Sequence, residues 1–435
     1  MAKAMRPPIV MARFGVDDGH TLEGYLRTGG YEGLRKAIGM GPEAVHAEVE
    51  ASGLTGRSGG AGFPAARKWS LLAPGKPSYV VVNGDESEPG FAKDRPLMER
   101  DPHQLIEGSL ICAFATGSAQ VFLYVRGEMA LAQERLAQAL TDAYAAGYAG
   151  TNIMGTGVDI DVVLHWGAGA YIVGEETALI ESLEGHRGMP RLKPPFFPAV
   201  KGVYMQPTIV NNVETLSNLP WIVLNGGAEF AAMGVNRSLG MRMFTLSGHV
   251  NRPGNFEVEL ASMTFRDLFT APEYGAGIRD GNQLKAFLVG ASFPWLFEEH
   301  LDIKLDIDEV QQAGSMLGSG IVVMDDTTCA VRAAWNLVRF FAHESCGKCT
   351  PCREGLSWLE KIMHRIETGT GREDDLDLLL DVGDNITPGL AWPPKQTTIC
   401  PLGPSGVAPI ISSVQRFRDE YLLHVKEGGC PRGRH

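Results

Sequence analysis

The chain has 435 residues, 44% of them hydrophobic and 21% charged, enough to bury more than one core and to form two to four domains. A net charge of −12 and the lack of any Lys/Arg run argue against a nucleic-acid surface. The weakly polar stretch Ser109–Val125 is broken by Thr116, Gly117, Ser118 and Gln120, so it reads as a core helix followed by a strand, too short and polar for a membrane span. Met1–Val10 carries Lys3 and Arg6 but no apolar run of about seven residues, so no secretory signal is expected and the seven cysteines belong in a reducing compartment.

In chain order, residues 1–65 read as helical and polar, with segments around Thr21–Arg27 and Pro42–Ser52. They end in a glycine-rich loop, Gly56-Arg57-Ser58-Gly59-Gly60-Ala61-Gly62-Phe63-Pro64, where crowded glycines let the backbone approach a phosphate or flat ring and Lys68 can follow as a point charge. Gly60-x-Gly62-x-x-Ala65 nominally fits a dinucleotide fingerprint, but no strand precedes it and Pro64 intrudes. From 66 to 238, short β-branched or aromatic runs (Tyr79–Val82, Val121–Val125, Ile160–Leu164) alternate with helical stretches such as Ala130–Ala146. That alternation predicts an α/β fold with parallel sheet. Two loops leave these strands at their carboxyl ends. Asn83-Gly84-Asp85-Glu86-Ser87-Glu88-Pro89-Gly90 concentrates three carboxylates, which suits a ligand site or, more simply, an acidic surface turn. Gly167–Thr177 offers glycines, a flat face at Tyr171 and Glu175 and Glu176 at a helix start; a plain strand-to-helix turn is the alternative.

Residues 239–328 read as a small mixed α+β module with strands at Met243–Gly248, Asn255–Val258 and Gly320–Met324, better suited to docking than to catalysis. Residues 329–435 are helical, with apolar stripes through Val331–Phe341, Leu359–Ile366, Leu376–Leu380 and Ile411, Val414, Phe417, Tyr421. Between the first two stripes stands Cys346-Gly347-Lys348-Cys349-Thr350-Pro351-Cys352, with Cys400 further on. Two-residue gaps let consecutive thiolates reach neighbouring corners of one iron–sulfur cube, which a distant fourth closes. A four-cysteine zinc site would usually pair two separate Cys-x-x-Cys knuckles, and disulfides are not expected in this setting. Cys112 and Cys329 read as core packing; Cys430 has no partner at ligand spacing.

Gly-Gly-Ala-Gly-Phe (59–63), Asn-x-Asp-Glu-Ser-Glu-Pro-Gly (83–90), Gly-Ala-Gly-x-Tyr-Ile-x-Gly-Glu-Glu-Thr-Ala-Leu (167–179), Lys193-Pro194-Pro195-Phe196, Asn211-Asn212-Val213-Glu214-Thr215 and Glu-Ser-Cys-Gly-x-Cys-x-Pro-Cys-Arg (344–353) occur in that order. Together, over nearly the whole chain, they resemble the FMN- and NADH-binding 51-kDa-type subunits of bacterial respiratory complex I. The resemblance implies a flavin cradle from Gly59, Gly60, Gly62, Lys68, Asn83, Asp85, Glu86, Ser87, Tyr171, Gly174, Glu175, Asn211, Asn212 and Thr215. It implies NADH above the flavin, with Phe63 and Phe196 stacking and Glu88, Glu176 and Lys193 at its polar parts. Leu71 stands where the family often has a further stacking aromatic. A 4Fe-4S cluster on Cys346, Cys349, Cys352 and Cys400 is implied, with hydride passing from NADH to FMN and single electrons to the cluster; Glu88 is the residue nearest to a catalytic role. The expected architecture is a Rossmann-like FMN/NADH domain, a ubiquitin-like α+β (SLBB-type) module and a C-terminal four-helix bundle. Expected partners are a thioredoxin-like 2Fe-2S subunit and a larger iron–sulfur subunit, in a peripheral arm on the cytoplasmic side of a membrane. The rivals are a diaphorase subunit of an NAD-linked formate dehydrogenase, hydrogenase or bifurcating enzyme, and a non-enzymatic cluster scaffold with degenerate loops.

Overall fold

The computed structural model describes residues 6–60, 62–74 and 77–433; Ala61 of the glycine-rich loop lies outside the described residues. Four strands, β1 (Tyr79–Gly84), β2 (Gln120–Val125), β3 (Asp161–Trp166) and β4 (Thr208–Asn212), form an all-parallel sheet in the order β3-β2-β1-β4. Val81 pairs with Phe122 on one side and Val210 on the other. Parallel strands are stable when both faces are covered, which explains their unbroken apolar runs. Val80, Val82, Val121, Leu123 and Ile209 point into a core shared with the helices Pro102–Thr116 and Ala130–Ala145. Val81, Tyr124 and Val210 point the other way, into a core that continues through the helix Glu176–Leu183 to the C-terminal helices. Strand order reverses between β1 and β4, so the loops leaving their carboxyl ends diverge and open a crevice.

The N-terminal residues form three helices, Leu22–Arg27, Glu32–Met40 and Pro42–Ser52. Buried Glu107 of Pro102–Thr116 anchors them by accepting hydrogen bonds from the Tyr25 hydroxyl and from the backbone N–H groups of Tyr31 (2.9 Å) and Leu34 (2.8 Å).

A short hairpin, β5 (Gly234–Val235) and β6 (Ser238–Leu239), leads into a second, mixed sheet. Its strands β7 (Met241–Gly248), β8 (Gly254–Glu259), β9 (Leu284–Leu288) and β10 (Gly320–Asp325) lie in the order β8-β7-β10-β9, with only the β7–β10 pair parallel. Phe244, Leu246, Phe265, Phe269 and Phe287 fill its core. β9 is absent from the sequence expectation. Lys285 interrupts its apolar run, and its ammonium leaves the module to pair with Glu420 at 2.6 Å.

The last hundred residues form helices Ala330–Glu344, Thr350–Glu367, Asp375–Ile386, Leu402–Arg416 and Arg418–Glu427. The stripe Ile411–Tyr421 reads as one helix but is divided between the last two, because Phe417 (φ −119°, ψ 32°) leaves the helical region while keeping the apolar side chains on one core. Among the described residues, no helix is long and apolar enough to cross a membrane.

Candidate functional site

The crevice at the carboxyl ends of β1 and β4 is a cavity of ≈ 260 Å³. The acidic loop 83–90 forms its floor. Asn83 accepts a hydrogen bond from the Asp85 backbone N–H (3.1 Å) and donates to the Gly174 carbonyl (2.9 Å), joining the two loops. Asp85 accepts from the Ser87 hydroxyl at 2.9 Å and lies 3.4 Å from the Arg126 guanidinium, yet its Oδ2 is buried without a hydrogen-bond partner. Burial outweighs Arg126 and pushes the Asp85 carboxyl up to about 7. Glu86 accepts from the backbone N–H groups of Lys93 (2.7 Å), Asp94 (2.9 Å) and Arg95 (3.0 Å), at the start of the helix Asp94–Arg100. Burial, with Asp94 nearby, raises it to about 7 as well. Glu88 accepts from the Tyr171 hydroxyl (2.6 Å) and from both the backbone N–H (2.7 Å) and hydroxyl of Ser292; burial raises its pKa.

Lys93 is a fully buried cation beside the acidic loop. Its Nζ lies 2.6 Å from Asp94, 3.0 Å from Glu214 and 3.1 Å from the Asn212 side-chain oxygen. Asn212 also caps the helix Val213–Ser217 by accepting from the Glu214 N–H, and donates to Asp94 at 2.6 Å. The Thr215 hydroxyl accepts from the Arg57 N–H at 2.8 Å and so holds the glycine-rich loop. In that loop Gly62 lies so close to Gly56 that a Cβ would fall 2.0 Å from its carbonyl oxygen, while Gly59 has only the Phe91 ring, at 4.0 Å, near its missing side chain.

The opposite wall comes from the loop after β3. Glu175 caps Glu176–Leu183 by accepting from the N–H groups of Thr177 (2.9 Å) and Ala178 (3.0 Å). Lys193 bridges Glu175 (2.9 Å) and Glu176 (2.7 Å), and Lys68 lies 3.7 Å from Glu176 while donating to the Val210 carbonyl. Despite burial, these two cations keep the Glu176 carboxyl below its ordinary pKa.

Of the expected residues, Gly59, Asn83, Asp85, Glu86, Ser87, Glu88, Tyr171, Gly174, Glu175 and Asn212 line the cavity. Gly60, Gly62, Lys68, Glu176, Lys193, Phe63, Phe196, Asn211 and Thr215 stand outside its lining. Phe63 is exposed and carries the Arg67 guanidinium 5.5 Å from its ring; Phe196 lies 5.8 Å from the Lys201 ammonium. Asn211 is buried and donates to Cys112 Sγ at 3.6 Å. Ser58 and Ile172, which lie within motifs but carry no expected role, join the lining, as do residues 91, 93 and 94, which no motif announces, and residues 401, 402 and 405 at the start of the helix Leu402–Arg416. Lys93 carries no sequence signal, since a lone lysine between Ala92 and Asp94 looks like surface.

Cys400 belongs to two cavities. It lines the crevice and also a small adjoining one bordered by Cys346, Cys349 and Cys352. Gly347 (φ 80°) takes a left-handed turn between Cys346 and Lys348. Cys349 then caps Thr350–Glu367, and Cys352 sits in that helix's first turn. The Ile399 N–H donates to Cys349 Sγ at 3.3 Å, and Ser345 Oγ lies 3.2 Å from Cys352 Sγ. A zinc tetrahedron with Zn–S bonds of ~2.3 Å holds its sulfurs about 3.8 Å apart. Among the described residues, no three of these four Sγ atoms lie within 4.8 Å of one another, so they are not gathered as around a single zinc ion. Burial raises the Cys352 thiol to about 11 and Cys400 to about 12, and a cation bound among them would favour their thiolate forms. The buried Asp85 oxygen, the open backbone at Gly59 and this thiol set fit a flavin beside an iron–sulfur cluster.

Comparison with known proteins agrees. Residues 49–221 match the family model for the Nuo51 FMN-binding domain, and residues 332–424 that for the NADH-ubiquinone oxidoreductase-F iron-sulfur binding region. The F subunit of NADH-quinone oxidoreductase of Mycobacterium tuberculosis (strain ATCC 25618 / H37Rv) is 49% identical, with 98% of this chain and 95% of that protein covered. The Streptomyces coelicolor protein of the same name is 48% identical, with 98% and 92% covered. A chain of an NAD+-reducing [NiFe]-hydrogenase in the H2-reduced state superposes with a TM-score of 0.79 at 33% identity, over 89% of this chain; this chain spans 63% of that one. Fold, site and comparisons define a flavin-dependent oxidoreductase subunit with an FMN-binding α/β region and an iron–sulfur region. The chain belongs to the family of NADH-quinone oxidoreductase F subunits.

Proposed function

We propose that this chain is the NADH-oxidising subunit of a complex I-type NADH:quinone oxidoreductase, with FMN in the crevice and a 4Fe-4S cluster on Cys346, Cys349, Cys352 and Cys400. The observation that carries the reading is Cys400, whose residue is a wall of both the crevice and the cysteine cavity. Flavin supplies hydride acceptance from nicotinamide and release of electrons one at a time. The chain supplies position and electrostatics. Asn83, Asp85, Glu86, Ser87, Tyr171, Gly174, Glu175 and Asn212 would hold the flavin, with Gly59, Gly60 and Gly62 giving it backbone access and Lys68, Asn211 and Thr215 supporting that cradle. Glu88, fixed by Tyr171 and Ser292, would face the nicotinamide. Phe63 and Phe196 would stack on the dinucleotide, and Glu176 with Lys193 would meet its polar groups.

The domain division 1–65, 66–238, 239–328 and 329–435 follows the changes of element type. We read 239–328 as the ubiquitin-like (SLBB-type) module and the four longer C-terminal helices as a four-helix bundle, with Arg418–Glu427 packed on its end. A thioredoxin-like 2Fe-2S subunit and a large iron–sulfur subunit would dock here, in a peripheral arm on the cytoplasmic face; the relatives' names support only that such a chain is one subunit of a larger oxidoreductase.

The purified chain should bind FMN one to one and about four irons, and should reduce ferricyanide with NADH. Failure to take up flavin, or zinc in place of iron on the four cysteines, would sink the proposal. The likeness to the hydrogenase chain supports a second reading, a diaphorase module serving another enzyme. Co-purification separates the two: quinone-arm subunits favour the first, hydrogenase or formate dehydrogenase subunits the second.

A further inference from the structure

A second constellation of ligand-type side chains closes the end of the helical region remote from the cysteine triplet. Cys329 caps Ala330–Glu344, Glu367 ends Thr350–Glu367, His424 lies in Arg418–Glu427, and Cys430 follows the glycines that stop that helix. One ligand atom from each, two thiol sulfurs, an imidazole nitrogen and a carboxylate oxygen, lie within 4.8 Å of one another. The function proposed above uses none of them. In the sequence Cys329 reads as core packing and Cys430 has no partner; the fold brings both to one point across about a hundred residues.

The surroundings are arranged as around metal ligands. His424 Nδ1 lies 2.7 Å from the Glu420 carbonyl, which can only accept, so that nitrogen carries the proton and Nε2 presents a lone pair. Nε2 lies 3.2 Å from Cys329 Sγ and 3.6 Å from Glu367 Oε2. Glu367 is held through Oε1 by Arg332 Nε at 2.7 Å, while Oε2 is buried with no hydrogen-bond partner. An unsatisfied buried carboxylate oxygen aimed at an imidazole lone pair and two sulfurs is costly unless a cation sits among them. An adjoining cavity lined by Thr328, Cys329, Arg332 and Cys430 gives an entry path.

We propose that Cys329, Glu367, His424 and Cys430 bind one zinc ion. Two soft thiolates, an imidazole and a carboxylate oxygen match zinc's ligand set and exclude magnesium and calcium, which take oxygen shells. Four protein ligands leave no open position, so the site is structural and ties the C-terminal segment to the ends of two bundle helices. On binding, both cysteines release their protons; two thiolates and a carboxylate against a divalent ion leave one negative charge, beside the Arg332 guanidinium.

The test uses the iron-loaded full chain, purified without chelators from zinc-supplemented cells. About one zinc per chain is expected beside about four irons, and zinc X-ray absorption should give two sulfurs near ~2.3 Å and two lighter atoms near ~2.0 Å. Cys430→Ser and His424→Gln should each lower zinc about tenfold or more with iron and NADH–ferricyanide activity unchanged. Should His424→Gln fail to fold, cobalt substitution of the wild-type chain replaces it: a sulfur-to-cobalt charge-transfer band that Cys430→Ser removes supports the site. Zinc below about 0.1 per chain, zinc unaffected by Cys430→Ser, or a four-sulfur zinc shell would overturn it. So would a Cys329–Cys430 disulfide in anaerobically purified protein.

Discussion

Single side chains set the electrostatics of the crevice, and Lys93 is the clearest case. Its ammonium is buried between Asp94 and Glu214, so Lys93→Ala strands two carboxylates away from water and should cost about 3–5 kcal/mol in denaturant unfolding. An unchanged midpoint would refute this. Asp85 works in the opposite sense. Its folded pKa of about 7 lies above its unfolded value, so the folded state holds a proton from roughly pH 4 to 7 that the unfolded chain has released, and stability falls as pH rises through that window. In flavin-free protein at pH 8, Asp85→Asn should therefore raise stability by about 1–3 kcal/mol while weakening FMN retention. Loss of stability at pH 8 would contradict the burial argument. Glu176, held ionised by Lys68 and Lys193, would repel a 2′-phosphate, so Glu176→Gln should raise the NADPH/NADH ratio of kcat/KM about tenfold, a change of ~1.4 kcal/mol. The acidic and cysteine-bearing residues are legible in the sequence because their types are costly or chemically specific. Lys93 is not, because its burial arises from contacts with Asn212 and Glu214, more than a hundred residues away.

Elements are legible where one physical signal dominates. β1, β2 and β3 carry β-branched or aromatic runs, and the bundle helices carry stripes; both match the sequence reading within a few residues of their bounds. β4 escapes that reading because its second half, Asn211 and Asn212, is polar and serves the loops. Periodicity also hides the break at Phe417, since the stripe continues on the same core across it. The glycine-rich loop can be tested as an element: at Gly62→Ala the new methyl meets Gly56 backbone, which cannot move aside like a flexible side chain. The expected result is loss of most bound FMN with far-UV circular dichroism unchanged; full retention of flavin would show that the loop does not need this close approach.

At the scale of the molecule, one apolar core runs from the second face of the parallel sheet into the C-terminal helices. Phe341 is fully buried in it, with its ring centroid 5.7 Å from that of Tyr171. Phe341→Ala should cost about 3–5 kcal/mol and reduce flavin and iron content together. If only one of the two cofactors were lost, the regions would be independent. Nothing in a linear pattern announces this continuity, because the residues that touch belong to segments that read separately as an α/β domain and a bundle.

The shared wall at Cys400 bears on how such a chain matures. Pro401, Leu402 and Ser405, at the start of the helix Leu402–Arg416, line the crevice directly after Cys400, so whatever occupies the cysteine cavity bears on the position of that wall. A newly made chain should therefore acquire inorganic sulfide and iron before it can retain its yellow prosthetic group. Cells starved of iron should accumulate colourless polypeptide instead of a half-finished flavoprotein.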